Sequence, residues 1–301
     1  MNETTRDAFD QALDRRIIRG RSLYVDAWHR LLRNKAAVTG LVVLVVMILM
    51  VVFGPMLTSW DHEIPDWDHY STPPSLETGH VFGTDALGRD LYVRTLIGGR
   101  ISLLVGIVAT LVSLIIGITY GAIAGYFGGR VDNWMMRFVD GIYAMPFMFF
   151  VIVLMVIFGR NIFLIFVAIG AINWLDMARI VRGQTLSLKT KDFVEAARAC
   201  GATEMQIIRR HIIPNLLGVV IVYVTLTIPQ VILVESFLSF LGLGVQEPLT
   251  SWGALVNEGA QELETAPWSL LIPASFLAVT LFAFNFLGDG LRDALDPKDR
   301  L

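Results

Sequence analysis

One cysteine, Cys200, stands among 301 residues, and a lone thiol excludes an internal disulfide framework. No G-x-x-x-x-G-K-S/T phosphate-binding loop occurs, so if ATP drives this protein, another chain binds it. No Ser/His/Asp or Cys/His set is spaced for a catalytic site, and nothing points to an enzyme. His62, His69 and His80 lie near several carboxylates, but separations of seven and eleven fit no compact metal pattern, so no metal site is expected. Charge is also scarce. Asp, Glu, Lys and Arg make up 17% of the chain against 54% hydrophobic residues, with a mean hydropathy of +0.60. That composition excludes a soluble chain of this size and implies an all-α polytopic membrane protein. The net charge of −3 says little, because its distribution matters more than its sum, and no nucleic-acid partner is expected.

What is present is a series of apolar runs between polar segments. Six transmembrane helices are expected, at about 37–57, 101–124, 139–158, 162–178, 212–242 and 268–287. Gly54-Pro55 stops the first, and Pro229 interrupts the fifth. Residues 37–301 thus form the transmembrane domain, with a polar loop at 179–211, and residues 1–36 precede it. In that N-terminal segment Phe9, Leu13 and Ile17, then Tyr24, Trp28 and Leu31, recur at helical spacing among basic residues. Such a pattern suits either a helix lying on the membrane surface or a plain solvated face. The segment is too long and too acidic for the start of a signal peptide, and no A-x-A exit follows, so a retained first span is expected.

Lys and Arg set the orientation. Eight precede the first span, two lie in 125–137, seven in 179–210 and three in the tail, while the opposite face has only Arg89, Arg94, Arg100 and Arg160. The positive-inside rule therefore places both termini and the 179–211 loop in the cytoplasm. Within the second span Ala109, Ser113, Gly117, Gly121 and Gly125 repeat every fourth residue. This ladder admits a closely packed helix, either from a partner subunit or from this chain. Asp176, near the cytoplasmic end of the fourth span, is expected to pair with Arg179 or Arg182.

The polar stretch from Asp192 to Asn215 reads DFVEAARACGATEMQIIRRHIIPN. Asp192 with Glu195, and Thr203 with Gln206, have capping-box spacing, so two short helices are expected. Gly201 between them can close the first in a left-handed cap. Phe193, Ala196, Ala197 and Cys200 recur at helical spacing and form a narrow face suited to another protein's groove. Cys200 is expected to be a small packing residue on the reducing side.

Glu195-Ala196-Ala197, then Gly201, Ile213 and Pro214, resembles the EAA loop of ABC-importer permeases, and His211 and Asn215 fit the dipeptide and oligopeptide branch. Three further motifs are similar to that branch. Phe82-Gly83-Thr84-Asp85 with Gly88-Arg89-Asp90 resembles the FGTDxxGRD element of its C subunits. Ser239 to Gly244 with Ser251-Trp252-Gly253 resembles its SFLGLG…SWG region, and Gly288 to Pro297 its GDGLRDALDP ending. Thr84 or Asp85 is expected to cap a helix, with Asp85 and Arg89 paired on it. A structural turn or cap is the plain reading of each motif.

The resemblance implies a type I ABC-importer permease fold in a bacterial plasma membrane, importing oligopeptides. It implies a second permease subunit, two cytoplasmic ATPases that bind ATP and Mg, an external peptide-binding protein, and no cofactor in this chain. The helix at 192–207 would couple to an ATPase, with Glu195 capping it, Ala196 and Ala197 letting it sit deep, and Gly201 permitting the turn. The binding protein would dock on 59–98 and 245–267. Glu235 in the fifth span either faces the translocation cavity and meets a cationic peptide terminus, or caps the half-helix before SFLGLG. Other family cargoes (dipeptides, nickel, glutathione) stay open. An ion-driven carrier would show paired mid-membrane charges and an internal repeat, and neither is evident.

Overall fold

The computed structural model describes residues 23–159 and 162–295. Among them the chain is helical. α1 spans Leu23–Arg33, α2 Lys35–Phe53 with a 3-10 turn to Leu57, α3 Leu91–Phe127, α4 Gly129–Tyr143, α5 Phe147–Phe158 and α6 Ile162–Leu188. α7 spans Asp192–Ala199 and α8 Glu204–Ile207, followed by a π-turn at Ile208–Ile212. α9 covers Ile213–Phe240, α10 Trp252–Gln261 and α11 Pro267–Leu295.

Four helical segments are long and apolar enough to cross a bilayer: Lys35–Leu57, Leu91–Phe127, Glu204–Phe240 and Pro267–Leu295. At 37 residues, α3 is about 55 Å long, well beyond a hydrocarbon core of about 30 Å. The second expected span, 101–124, is therefore only the middle of its helix. The third, 139–158, is not one helix. It breaks between Tyr143 and Phe147, because Pro146 lacks an N–H and pushes Met145 out of helical geometry. The apolar piece that remains, Phe149–Phe158, falls short of a span by length. Pro229, expected to interrupt the fifth span, lies inside a continuous α9. Thr225 and Thr227 hydroxyls bond back to the carbonyls of Val222 and Tyr223 at 2.8 Å in that stretch, an adjustment common around prolines in apolar helices.

The core forms where small residues let helices approach. Residues of the α3 ladder are buried against α6 of the same chain. A Cβ on Gly117 would stand 2.5 Å from the Met177 side chain, and one on Gly121 would stand 2.4 Å from the Ala178 carbonyl. The ladder thus serves contact within this chain, because its small face is already occupied. At the two ends of the chain, Ala27 and Leu31 of α1 pack on Ala37 and Ala294. A Cβ on Gly290 would meet the Ala37 Cβ at 2.2 Å, so the described part of the 288–297 motif is a helix-packing surface rather than a cap. Phe9, Leu13 and Ile17 lie outside the described residues.

Candidate functional site

The 192–212 loop is anchored on one side and bare on the other. Val194 and Ala197 of α7 turn inward onto Ile207, Ile208 and Ile212, which pack on Ile118 and Ala122 of α3, Met177 and Val181 of α6, and Leu216 of α9. Phe193 (37% exposed), Ala196 and Cys200 form an exposed stripe next to the buried one, and Glu195 is exposed as well. The expected face of Phe193, Ala196, Ala197 and Cys200 is therefore split. Ala197 belongs to the core, because the loop buries its own apolar stripe first, and Cys200 is exposed rather than packed.

The caps divide as well. Thr203 and Gln206 form the expected capping box, with Thr203 N donating to Gln206 Oε1 at 2.9 Å. The Asp192–Glu195 box does not form. Lys191 is the N-cap of α7 without a side-chain bond, which places Asp192 and Glu195 in the first turn, where their charge complements the helix dipole. Gly201 ends α7 at φ +81°. Its N–H donates to the Arg198 carbonyl at 3.0 Å, and the Ala202 N–H donates to the Ala197 carbonyl at 3.1 Å, a Schellman closure.

Polar ties fasten this loop to α3. The Tyr126 hydroxyl donates to Glu204, Arg198 donates to the Tyr126 oxygen at 3.2 Å, and Lys189 Nζ donates to the Gly125 carbonyl at 2.9 Å. Farther along α6, Arg182 clasps Asp132 of α4 through two bonds of 2.5 and 2.6 Å, and Arg179 pairs with Asp140 at 2.7 Å. Asp176 instead accepts from the Tyr143 hydroxyl at 2.7 Å, so its expected pairing with Arg179 or Arg182 is replaced by a tyrosine contact. Neither Tyr126 nor Lys189 has a local sequence signal, since the partners are 78 and 64 residues away.

Glu235 does not face a cavity. It is 0% exposed, and a partner chain could only bury it further. Ser239 Oγ donates to Oε1 at 2.7 Å, and Ser102 Oγ of α3 donates to Oε2 at 3.2 Å. Ser102 in turn accepts from the Trp252 N–H at 3.2 Å, while Ser251 donates to Ser239 at 3.2 Å and caps α10 by accepting from Ala254 N. Glu235 is the hub of a serine cluster that closes the end of α9 against α3 and α10. Neither expectation describes it: α9 is continuous, so no half-helix is left for Glu235 to cap, and its carboxylate is enclosed by serines.

The opposite end of the bundle carries a charged lattice. Gly83, Thr84, Asp85, Gly88, Arg89 and Asp90 lie in a folded loop rather than on a helix. Thr84 caps nothing: its hydroxyl donates to the His69 carbonyl at 2.7 Å and accepts from Thr72 N at 2.9 Å. Asp85 accepts from the backbone N–H groups of Leu87 and Arg89, each at 2.9 Å, and from Arg89 Nε at 2.8 Å. It also accepts from Arg94 of α3, which is 3% exposed and whose Nη1 and Nη2 reach Glu258 of α10 at 2.8 and 3.2 Å. Arg89 reaches Glu247 at 2.7 Å, and that hydrogen bond holds the Glu247 carboxyl below its usual range. Burial pushes the nearby Glu262 carboxyl up.

Asp90 is the true cap of α3, accepting from Val93 N at 2.9 Å. Its second oxygen meets His80 Nδ1 at 2.8 Å. His80, fully buried under the Trp60 ring at 4.2 Å, approaches Asp66 through Nε2 at 3.3 Å, and His69 Nδ1 approaches the same carboxylate oxygen at 2.9 Å. The Asp68 N–H, then the His69 and His80 rings, hold the Asp66 carboxyl down to about 2. Of His62, His69 and His80, the last two are thus brought together, and His62 lies separately beside its neighbours Asp61 and Glu63. Arg94 could have been found as a charge inside an otherwise apolar helix. Glu258, 164 residues from it, could not.

Residues 117–300 match the family model described as binding-protein-dependent transport system inner membrane component. Residues 22–74 match the N-terminal TM domain of oligopeptide transport permease C. The oligopeptide transport system permease protein OppC of Haemophilus influenzae is 58% identical over 100% of this chain and 97% of its own length. Its Escherichia coli counterpart is 58% identical over 99% and 98%. Among solved structures, an inward-facing MetNI methionine ABC transporter chain aligns with a TM-score of 0.54 at 21% identity, covering 67% of this chain and 96% of that chain, which speaks to the fold alone.

Proposed function

The chain belongs to the family of binding-protein-dependent transport system inner membrane components, and from that premise we propose that it is the oligopeptide permease subunit of an ATP-driven importer. It is a multi-pass protein of a bacterial inner membrane, and its part is that of a non-enzymatic transport subunit. Its partners are a second permease subunit, two cytoplasmic ATPases that bind ATP and Mg, and an external peptide-binding protein. Six crossings give both termini and the 192–212 loop a cytoplasmic position, a reading supported by the crowding of Lys and Arg on that side. α4 and α5 together make the third crossing, and α6 the fourth.

One observation carries the coupling role. α7 leaves Phe193, Ala196 and Glu195 bare while Val194 and Ala197 lock it onto α3, α6 and α9. A short helix held this way transmits force: an ATPase groove that grips the bare stripe moves three long helices through contacts that do not compress. Closure of the ATPase dimer then rocks the spans and alternates access to the pathway. The loaded binding protein docks at the opposite end, on 59–98 and 245–267, where charge keeps the surface fixed.

The test expresses Glu195→Ala and Gly201→Asp variants with the neighbouring subunits in membranes, and follows oligopeptide uptake together with ATPase co-purification. Loss of uptake at normal membrane insertion, with weaker ATPase retention for at least Gly201→Asp, is expected. Normal uptake and retention in both variants would reduce 192–215 to a connecting loop and overturn the coupling role. Competition with dipeptides, nickel and glutathione separates oligopeptide cargo from the other cargoes of the family.

A further inference from the structure

Asp66, His69 and His80 each offer one ligand atom, and the three atoms lie within 4.8 Å of one another, with His69 Nδ1 and His80 Nε2 both beside Asp66 Oδ2. Two of the separations are 2.9 and 3.3 Å. Ligand atoms around a tetrahedral zinc ion, with bonds near 2.0–2.1 Å, stand about 3.3 Å apart, so small side-chain rotations suffice to seat one. The spacing is irregular in sequence because the loop folds back. Thr84 fixes it by donating to the His69 carbonyl and accepting from Thr72 N.

The surroundings of His80 add an independent observation. Its Nδ1 faces Asp90 Oδ2 at 2.8 Å in a fully buried setting. With the ring proton on Nδ1 and shared with Asp90, the lone pair of Nε2 points at the Asp66 carboxylate. A lone pair facing an anion is repulsive unless a metal ion or a proton lies between them. A carboxylate orienting the far nitrogen of a ligating imidazole is the usual outer partner of a metal-bound histidine. Asp90 is itself fixed, because its other oxygen caps α3.

We propose that Asp66, His69 and His80 form a binding site for a divalent first-row transition ion of the zinc class, with a fourth position open to solvent. Two imidazoles and one carboxylate suit Zn2+, Ni2+, Co2+ or Cu2+, and disfavour Ca2+ and Mg2+, which take oxygen ligands. Asp66 and His69 are only partly buried, which leaves the open side towards solvent. A bound ion would pin the 66–69 turn to the 80–90 loop and, through Asp90, to the first turn of α3. This inference stands apart from the transport reading, since it concerns binding to the chain itself.

The alternative that fills the same gap is a proton on His80 Nε2, bridging Asp66 and Asp90 with no metal. The experiment uses the full chain, purified in detergent without a histidine tag and stripped with chelator, then titrated with Zn2+ and with Co2+. One equivalent of Zn2+ per chain is expected, with a ligand-field absorption for the Co2+ form. His69→Ala, which removes a single side-chain bond at a part-exposed position, lowers affinity at least tenfold while the metal-free unfolding temperature stays at the parental value. Asp90→Asn keeps a cap on α3 but disturbs the His80 tautomer, and lowers affinity by about 10–100-fold. Zn2+ raises the unfolding temperature of the parent and not of His69→Ala. Binding well below one equivalent, or equal binding by parent and His69→Ala, would overturn the proposal in favour of the proton bridge or of stray sites elsewhere.

Discussion

At one end of the bundle Val194, Ala197, Ile207 and Ile208 seat the 192–212 loop through apolar contact; at the other, Asp85, Arg89, Arg94 and Glu258 hold 82–94 to α10 through charge. The apolar seat is non-directional and tolerates small shifts, and it leaves a bare stripe for a partner. The charged lattice is directional, and Arg89 and Arg94 share the carboxylates of Asp85 and Glu258 at its centre. The first end can shift as a packed unit under a load on its bare stripe, whereas the second resists distortion.

Substitutions at four positions break or sharpen that contrast. Arg94→Leu leaves Arg89 as the one cation shared by Asp85 and Glu258, and should cost about 3 kcal/mol, the low end for a buried pair broken on one side. The check is folded yield and thermal unfolding in detergent, and Arg94→Lys should recover only part of the loss, because an ammonium lacks the planar two-nitrogen fork that Arg94 lays on Glu258. Ile207→Ala, at a fully buried position of the apolar seat, should cost about 3 kcal/mol. Protease access to the 192–212 loop should rise while the charged end stays protected, which local cleavage mapping would report.

Gly201→Ala should cost about 1–2 kcal/mol, because any Cβ is strained at φ +81° although the space around it is open. Gly201→Asn, which tolerates that conformation, should cost less. Comparing the two by thermal unfolding separates backbone strain from crowding. The smallest effect belongs to Glu247→Gln at the exposed rim, under about 1 kcal/mol and screened by salt. The carboxyl is held below its usual value of 4.5, so this pair stabilises fully above that pH and is lost as pH falls through the lowered value. A pH titration of stability on parent and variant should diverge only above that window.

How much could be read in advance follows the range of each signal. The Thr203–Gln206 box and the Gly201 turn are set by residues within a few positions of one another, and both were legible. The Asp192–Glu195 box had the same spacing and did not form, because the chain enters α7 one residue earlier, at Lys191. The break at Pro146 had a local cause that an unbroken apolar run concealed. Pro229 had the same local cause, yet α9 runs through it within a packed bundle. Asp85 and Arg89 paired as their spacing suggested, though in a loop and not on a helix.

Sequence alone determined the class, the apolar segments, the uneven distribution of basic residues and the place of the exposed loop, because composition, periodicity and caps act over a turn or two of chain. Only the tertiary structure decided that the α3 ladder meets α6, that Ala197 turns inward while Ala196 does not, and that Glu235 is sealed among serines. It also decided that Asp66, His69 and His80 converge beside Asp90. Each of these joins groups through space, where neighbour identity depends on how whole helices and loops pack, and no spacing along the chain encodes that meeting.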